Sequence, residues 1–197
     1  MTFRLGLTGS IGMGKSTTAQ LFAEEGCAVW DADAAVHRLY APDGLAVGPV
    51  GERFPEVIED GAVSRAALKR VIEKDPEALK QLEAIVHPLV VKDRETFVAR
   101  TTADIVVLDI PLLFETNADR DMDAVACVTV DAETQRKRVT DRPGMDDARF
   151  EAMRDRQMPD AEKQARADYV IETDTIEHAR AQVQAVIADI RKRCADA

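Results

Sequence analysis

The chain has 197 residues, enough for one ordinary domain or for a core domain with inserted subdomains, and it can bury a sizeable hydrophobic centre without staples. Its 46% hydrophobic and 31% charged residues, with unexceptional Gly and Pro, exclude collagen-like, low-complexity and disordered classes. A net charge of −10 opposes general binding to nucleic acid or anionic lipid, so neither partner is expected.

The first element is a strand over Phe3 to Thr8. It begins at once, with no charged n-region or long apolar h-region before it. The longest nearly apolar run, Ile105 to Phe114, is about half a membrane span and is broken by Asp109. Three widely spaced cysteines, Cys27, Cys127 and Cys194, form no C-x-x-C pattern, so no zinc site or disulfide framework is suggested. A cytoplasmic location is expected.

After the first strand, Gly9-Ser10-Ile11-Gly12-Met13-Gly14-Lys15-Ser16 satisfies the phosphate-loop pattern G-x-x-x-x-G-K-[ST], followed by Thr17. It lies between a strand and a helix running from Lys15 to about Glu25, which Gly26 terminates. Glycines let backbone N–H groups turn towards phosphate oxygens, and the helix N-terminus adds its positive dipole. Lys15 can reach β- and γ-phosphates, and the Ser16 hydroxyl can ligate Mg²⁺. No N-K-x-D guanine-reading motif follows.

A second strand, Ala28 to Trp30, leads into Asp31-Ala32-Asp33. If the chain stays extended, both carboxylates point to the same side, one able to take a proton from an acceptor hydroxyl and the other to support Mg²⁺ or orient a neighbour. In isolation such a pair is more often a cap or a turn, but its position after the second strand favours the functional, extended reading. The next seventy or so residues have no clear strand but carry helical spacing, as in Leu68, Val71 and Ile72, then Leu79, Leu82, Ile85 and Val86. Asp75-Pro76 reads as a helix start, and His87-Pro88 as a helix end or kink. This stretch is predicted to be a mostly helical subdomain.

The third strand, Ile105 to Ile110, carries Asp109 at its end, either as a Walker B acid touching Mg²⁺ or as a carboxylate that closes the strand on loop amides. After the fourth, Val125 to Val130, Asp131 caps a helix to about Arg142, Pro143-Gly144 breaks it, and Asp146 or Asp147 starts another towards Gln157. Residues 131–166 hold nine acidic and nine basic side chains, so the acidic excess lies elsewhere. Arg138 and Arg142 share a helix face, which suits a pair of guanidiniums closing on polyphosphate. A fifth strand, Tyr169 to Ile171, precedes a helix over about Ile176 to Arg191 whose apolar face takes in Ile176, Ala179, Val183, Val186, Ile187 and Ile190. Continuous apolar strands alternating with helices predict an α/β fold with a parallel sheet buried on both faces.

With these residues in place, the chain resembles the dephospho-coenzyme A kinase family. The resemblance rests on Gly6-Leu7-Thr8 and the loop through Thr17, Asp31-Ala32-Asp33, Leu82-Glu83-Ala84-Ile85-Val86-His87-Pro88, Pro111-Leu112-Leu113-Phe114-Glu115, Thr134-Gln135-Arg136-Lys137-Arg138, Gln157-Met158-Pro159 and Ala167-Asp168-Tyr169-Val170-Ile171. These span nearly the whole chain in order. Met13 departs from the family's common small Ser, and Thr173 from its frequent Asn near the adenine.

The resemblance implies transfer of the ATP γ-phosphate to the ribose 3′-hydroxyl of dephospho-coenzyme A, the last step of coenzyme A synthesis. It implies a P-loop kinase-like five-stranded sheet with a nucleotide core (residues 1–33, 101–131 and 167–197), a helical acceptor domain (34–100) and a lid (132–166). By the same resemblance, Asp33 is the base and works with Lys15 and Arg142. ATP is held by Ser10, Ile11, Gly12, Met13, Gly14, Lys15, Ser16 and Thr17, with Arg138 and Arg142. Thr8, Asp33, His87, Pro111 and Leu112 face the acceptor, while Ser16 and Asp109 hold Mg²⁺. His87 also reads simply as a helix-terminal residue before proline. A monomer using ATP and dephospho-coenzyme A is expected. The alternatives are another P-loop kinase, acting on a nucleoside monophosphate or hydroxylated metabolite, and a non-catalytic ATP-binding switch.

Overall fold

The computed structural model describes residues 2–196, which divide into two compact units. One runs up to Trp30 and resumes at Thr101; the other is Asp31–Arg100. The first unit opens with β1 (Phe3–Thr8), α1 (Lys15–Glu24) and β2 (Ala28–Asp31), the last residue of which begins the second unit. The second unit contains α2 (Ala32–Tyr40), α3 (Val47–Arg53), β3 (Ile58–Glu59), β4 (Ala62–Val63), α4 (Arg65–Lys74) and α5 (Glu77–Arg100). The chain then returns through β5 (Ile105–Asp109), β6 (Ala124–Thr129), α6 (Ala132–Thr140), α7 (Asp147–Arg154), α8 (Asp160–Arg166), β7 (Tyr169–Glu172) and α9 (Ile176–Ala195).

The main sheet has the order β2-β5-β1-β6-β7. Its central strand is parallel to both neighbours, with Leu5 opposite Val107 on one side and Ala124 on the other. On the outer side of β6, Cys127 lies opposite Val170 of β7. The strands can be continuously apolar because both faces are covered. Leu21 and Phe22 of α1 and Val183, Val186, Ile187 and Ile190 of α9 join Leu5, Leu7, Val107 and Ala126 in one buried cluster. Leu113, Phe114 and Val125 form a second, smaller one. Burial pushes the Cys27 and Cys127 thiols up to about 11 and about 12.

The Asp31–Arg100 unit has its own core, including Leu39, Val50, Phe54, Val57, Leu68, Leu82 and Val86. Arg38 of α2 pairs with Asp93 of α5 at 2.6 Å. The unit adds detail to the sequence reading at two points. It contains a small hairpin, β3 and β4, turning through Asp60 and Gly61 with φ of 50° and 76°. Its two-residue strands are too short for an alternation pattern to register. At His87-Pro88, read as a helix end or a kink, the end is excluded: Pro88 lies inside the 24-residue α5. Proline removes one ladder bond there, but Val86, Leu89 and Val90 pack on either side of it and carry the helix through.

The 31–33 segment also differs from the expectation of an extended chain. Asp31 is the N-cap of α2, accepting from the Ala34 N–H at 2.7 Å, and Asp33 lies in the first helical turn. In the other unit, Asp131 and Asp146 cap α6 and α7 by accepting from the Thr134 and Arg149 N–H groups, at 2.9 and 2.8 Å. Helix α6 stops at Thr140, short of Arg142, since a residue before proline avoids helical geometry. At the start of α9, Ile176 is 57% exposed and lies outside the apolar face that packs on the sheet.

Candidate active site

The loop between β1 and α1 takes a shape that glycine permits. Gly12 and Gly14 have φ of 80° and 88°, and Gly14 is the N-cap of α1. A Cβ on Gly14 would come within 2.9 Å of the Thr173 hydroxyl oxygen and 3.1 Å of its Cβ, so space and conformation both demand glycine. No side chain caps α1, leaving its first N–H groups suited to an anion.

Lys15, in the first turn of α1, forms an ion pair with Asp109 at the end of β5. The pairing follows from the register, which sets Leu7 of β1 opposite Asp109. Asp109 is only 2% exposed, so the carboxylate and the ammonium hold each other beneath the loop. Ser16 beside them is exposed. Asp109 is thus a carboxylate on the loop's own lysine, an arrangement that neither sequence reading contained. Among the described residues no three His, Cys, Asp or Glu side chains converge to hold a metal ion.

A cavity of about 420 Å³ opens beside the loop, lined by Gly12, Gly14, Thr17, Arg138, Arg142, Thr173, Asp174, Thr175 and Ile176 among others. This location explains the exposure of Ile176. Arg138 donates to the Thr173 hydroxyl at 3.0 Å and to the Thr173 carbonyl at 2.7 Å. The Thr173 hydroxyl in turn donates to the Met13 carbonyl at 2.7 Å. The Met13 side chain is buried in the core, where its sulfur accepts from the Val130 N–H at 3.2 Å. Both departures from the family pattern therefore have a local fit.

Four other cations of this segment are engaged elsewhere. Arg136 pairs with Asp147, Lys137 with Asp141 and Arg154 with Asp155, while Arg149 donates to the Gly144 carbonyl. Arg142 lines the cavity beside Arg138.

The remaining expected residues scatter. Ser10 is buried next to a second cavity, of about 470 Å³, shared with Gln135, Gln157 and Arg154. Thr8 is fully buried and donates to the Pro111 carbonyl at 3.3 Å; Leu112 next to it is 42% exposed. Asp33 and His87 belong to the helical unit, exposed on α2 and α5.

The model of the dephospho-CoA kinase family matches residues 3–178. The chain belongs to the dephospho-CoA kinase family. A relative from Ruegeria pomeroyi, named dephospho-CoA kinase, is 62% identical over 191 residues, covering 97% of each chain. A solved Thermus thermophilus protein superposes with a TM-score of 0.83 at 35% identity, over 95% of this chain and 97% of that one. Dephospho-CoA kinase from Campylobacter jejuni, at 22% identity and a TM-score of 0.66 over 96% and 97%, shares the fold. The chain is thus a kinase with a P-loop nucleotide-binding fold.

Sequence reasoning gave no role to Gln135, Gln157, Glu115 or Lys163. Gln157 accepts from the Ile11 N–H at 3.0 Å, and Gln135 donates to the Ile11 carbonyl at 2.8 Å. Glu115 pairs at 2.9 Å with Lys163, which is wholly buried. Burial raises the Glu115 carboxyl, but hydrogen bonds from Lys163 and the Met158 N–H outweigh it and leave it below the ordinary range. The signals were present in Thr134-Gln135 and Gln157-Met158-Pro159, which marked resemblance without naming a partner.

Proposed function

We propose that this enzyme moves the γ-phosphoryl group of ATP to the ribose 3′-hydroxyl of dephospho-coenzyme A, with Asp33 as general base. The observation carrying this reading is the nucleotide-sized cavity between a glycine-shaped helix N-terminus and Arg138 and Arg142, with the Lys15–Asp109 pair at the loop. In the reaction the acceptor oxygen bonds to phosphorus as the bond to the ADP oxygen breaks. The hydroxyl proton passes to the Asp33 carboxylate, and ADP leaves. The helix dipole, Lys15, Arg138 and Arg142 stabilise charge on the transferring group.

Support for Asp33 over Asp31 is local. The Asp31 carboxylate is committed to capping α2, whereas Asp33 is exposed in the first turn. The Ser16 hydroxyl and the Asp109 carboxylate are hard oxygen donors, and one or two such ligands plus substrate phosphates suit Mg²⁺. Mg²⁺ would neutralise phosphate charge. Thr8 and Pro111 fit best as structural support for the acceptor side, since the Thr8 hydroxyl is buried on the Pro111 carbonyl. We place the reaction in the cytoplasm, with the enzyme a monomer; the free, buried Cys27 and Cys127 suit a reducing compartment.

The test is incubation with Mg²⁺, ATP and dephospho-coenzyme A, reading the acceptor's mass. A product heavier by one phosphate on the 3′-oxygen is expected. An unchanged acceptor, or faster transfer to a nucleoside monophosphate or another hydroxylated metabolite, would sink the assignment. Asp33→Asn should lower kcat by roughly a hundredfold or more with ATP affinity little changed. If Asp31→Asn has that kinetic profile instead, the base is misassigned.

A further inference from the structure

Two successive peptide planes of the phosphate loop are pinned from outside it. In the Ser10–Ile11 plane, the Ser10 carbonyl accepts from the Met13 N–H at 3.1 Å, and the Ile11 N–H donates to the Gln157 carboxamide oxygen at 3.0 Å. In the next plane, the Ile11 carbonyl accepts from Gln135 at 2.8 Å. A trans peptide is planar, with C=O and N–H pointing in opposite directions. Holding the Ile11 carbonyl on Gln135 therefore turns the Gly12 N–H to the opposite side, and Gly12 lines the nucleotide cavity.

Gln157 is itself held by a built frame. The adjacent Met158 N–H donates to Glu115 at 2.9 Å, and Glu115 pairs with the buried Lys163 of α8 at 2.9 Å. Helix α8 is fixed to β6, where the Thr129 hydroxyl donates to Asp160 at 2.7 Å. Burying a lysine is costly unless it is paired, so this frame tolerates little displacement.

We infer that Gln135 and Gln157 are positioning residues that set the peptide planes of the phosphate loop, and that the pairing of Glu115 with the buried Lys163 places Gln157 for this role. Both glutamines belong to the segment that carries Arg138 and Arg142, so the root of that segment and the phosphate cradle move as one. The inference rests on the reading of the loop as the ATP site.

The test measures ATP binding and steady-state kinetics of the full chain. Gln157→Leu keeps the volume but removes the acceptor. The Kd for ATP should rise about tenfold, the scale of one lost hydrogen bond to an oriented group, with KM for dephospho-coenzyme A and the melting temperature nearly unchanged. The double replacement Glu115→Gln with Lys163→Met removes both charges and leaves no buried ion unpaired. It should weaken ATP by a similar factor, and adding Gln157→Leu should weaken it little further, because both act through one contact. ATP affinity of Gln157→Leu within twofold of the unaltered chain overturns the inference. So do effects that multiply independently, which make the ion pair mere glue for α8. Failure of the unaltered chain to bind ATP would remove the nucleotide reading itself, a separate and distinguishable result.

Discussion

The phosphate loop, residues 9–17, and the tip of the arginine-bearing segment, residues 141–156, meet the same anion in the proposed reaction but are built in opposite ways. The loop is fixed from several directions: Thr173 bonds the Met13 carbonyl, Met13 is buried in the core, and Lys15 pairs with Asp109. The tip is held by Arg136–Asp147, Arg154–Asp155 and the Arg149–Gly144 contact, all exposed, and Phe150 is the buried residue of α7. Exposed pairs contribute about 0–1 kcal/mol each. The loop is thus preorganised for charge, whereas the tip can rearrange around a ligand at little cost.

The largest effect should come from the loop's lysine. In Lys15→Ala the ammonium that stabilises the transferring phosphoryl is lost, and turnover should fall by roughly a thousandfold or more. Circular dichroism should show the helices intact. Turnover within a few-fold of the unaltered enzyme would separate the loop from catalysis and dissolve the contrast.

A matched pair of glycine substitutions sharpens the contrast. Gly14 and Gly144 have similar φ, 88° and 76°, but different surroundings. An alanine Cβ at position 14 would press on Thr173, whereas at position 144 the nearest atom is the flexible end of Arg149, 3.7 Å away. Both replacements incur backbone strain of about 1–3 kcal/mol, and Gly14→Ala adds a clash with a side chain that is itself bonded. Thermal unfolding should drop further for Gly14→Ala, with ATP binding weakened, while Gly144→Ala should leave ATP binding close to normal. Equal losses from both would show that the loop is no more constrained than the tip.

The same contrast explains what the sequence made legible. The parallel sheet, the helix after Gly14 and the caps at Asp131 and Asp146 could be read because apolar runs, glycine and capping residues act locally. The extended reading of Asp31-Ala32-Asp33 gave more weight to its place after a strand than to the cap alternative, and the cap prevails: Asp31 serves its own helix. Of the two readings of His87-Pro88, a helix end or a kink, the end is excluded because packing in the helical unit outweighs one missing hydrogen bond. The glutamines on Ile11 stand in stretches that carry the family resemblance, but their partner could not be read: they bridge separations of 124 and 146 residues, and no local pattern encodes such a contact.

The smallest expected effect tests the tip's independence. Arg136 and Asp147 are both more than half exposed and pair at 2.7 Å between α6 and α7. Removing the guanidinium in Arg136→Ala forfeits less than about 1 kcal/mol, since water replaces most of what the pair supplied. The melting temperature should barely move, yet amide exchange over residues 143–156 should quicken, because this pair is one of few ties between the two helices. Exchange over residues 9–17 should stay as it was: the loop's ties run to Gln135 and Gln157 at the root of the segment, not to its tip. Faster exchange in the loop as well would mean that the tip and the cradle form one cooperative unit, and that the arginines are as preorganised as the glycines they face.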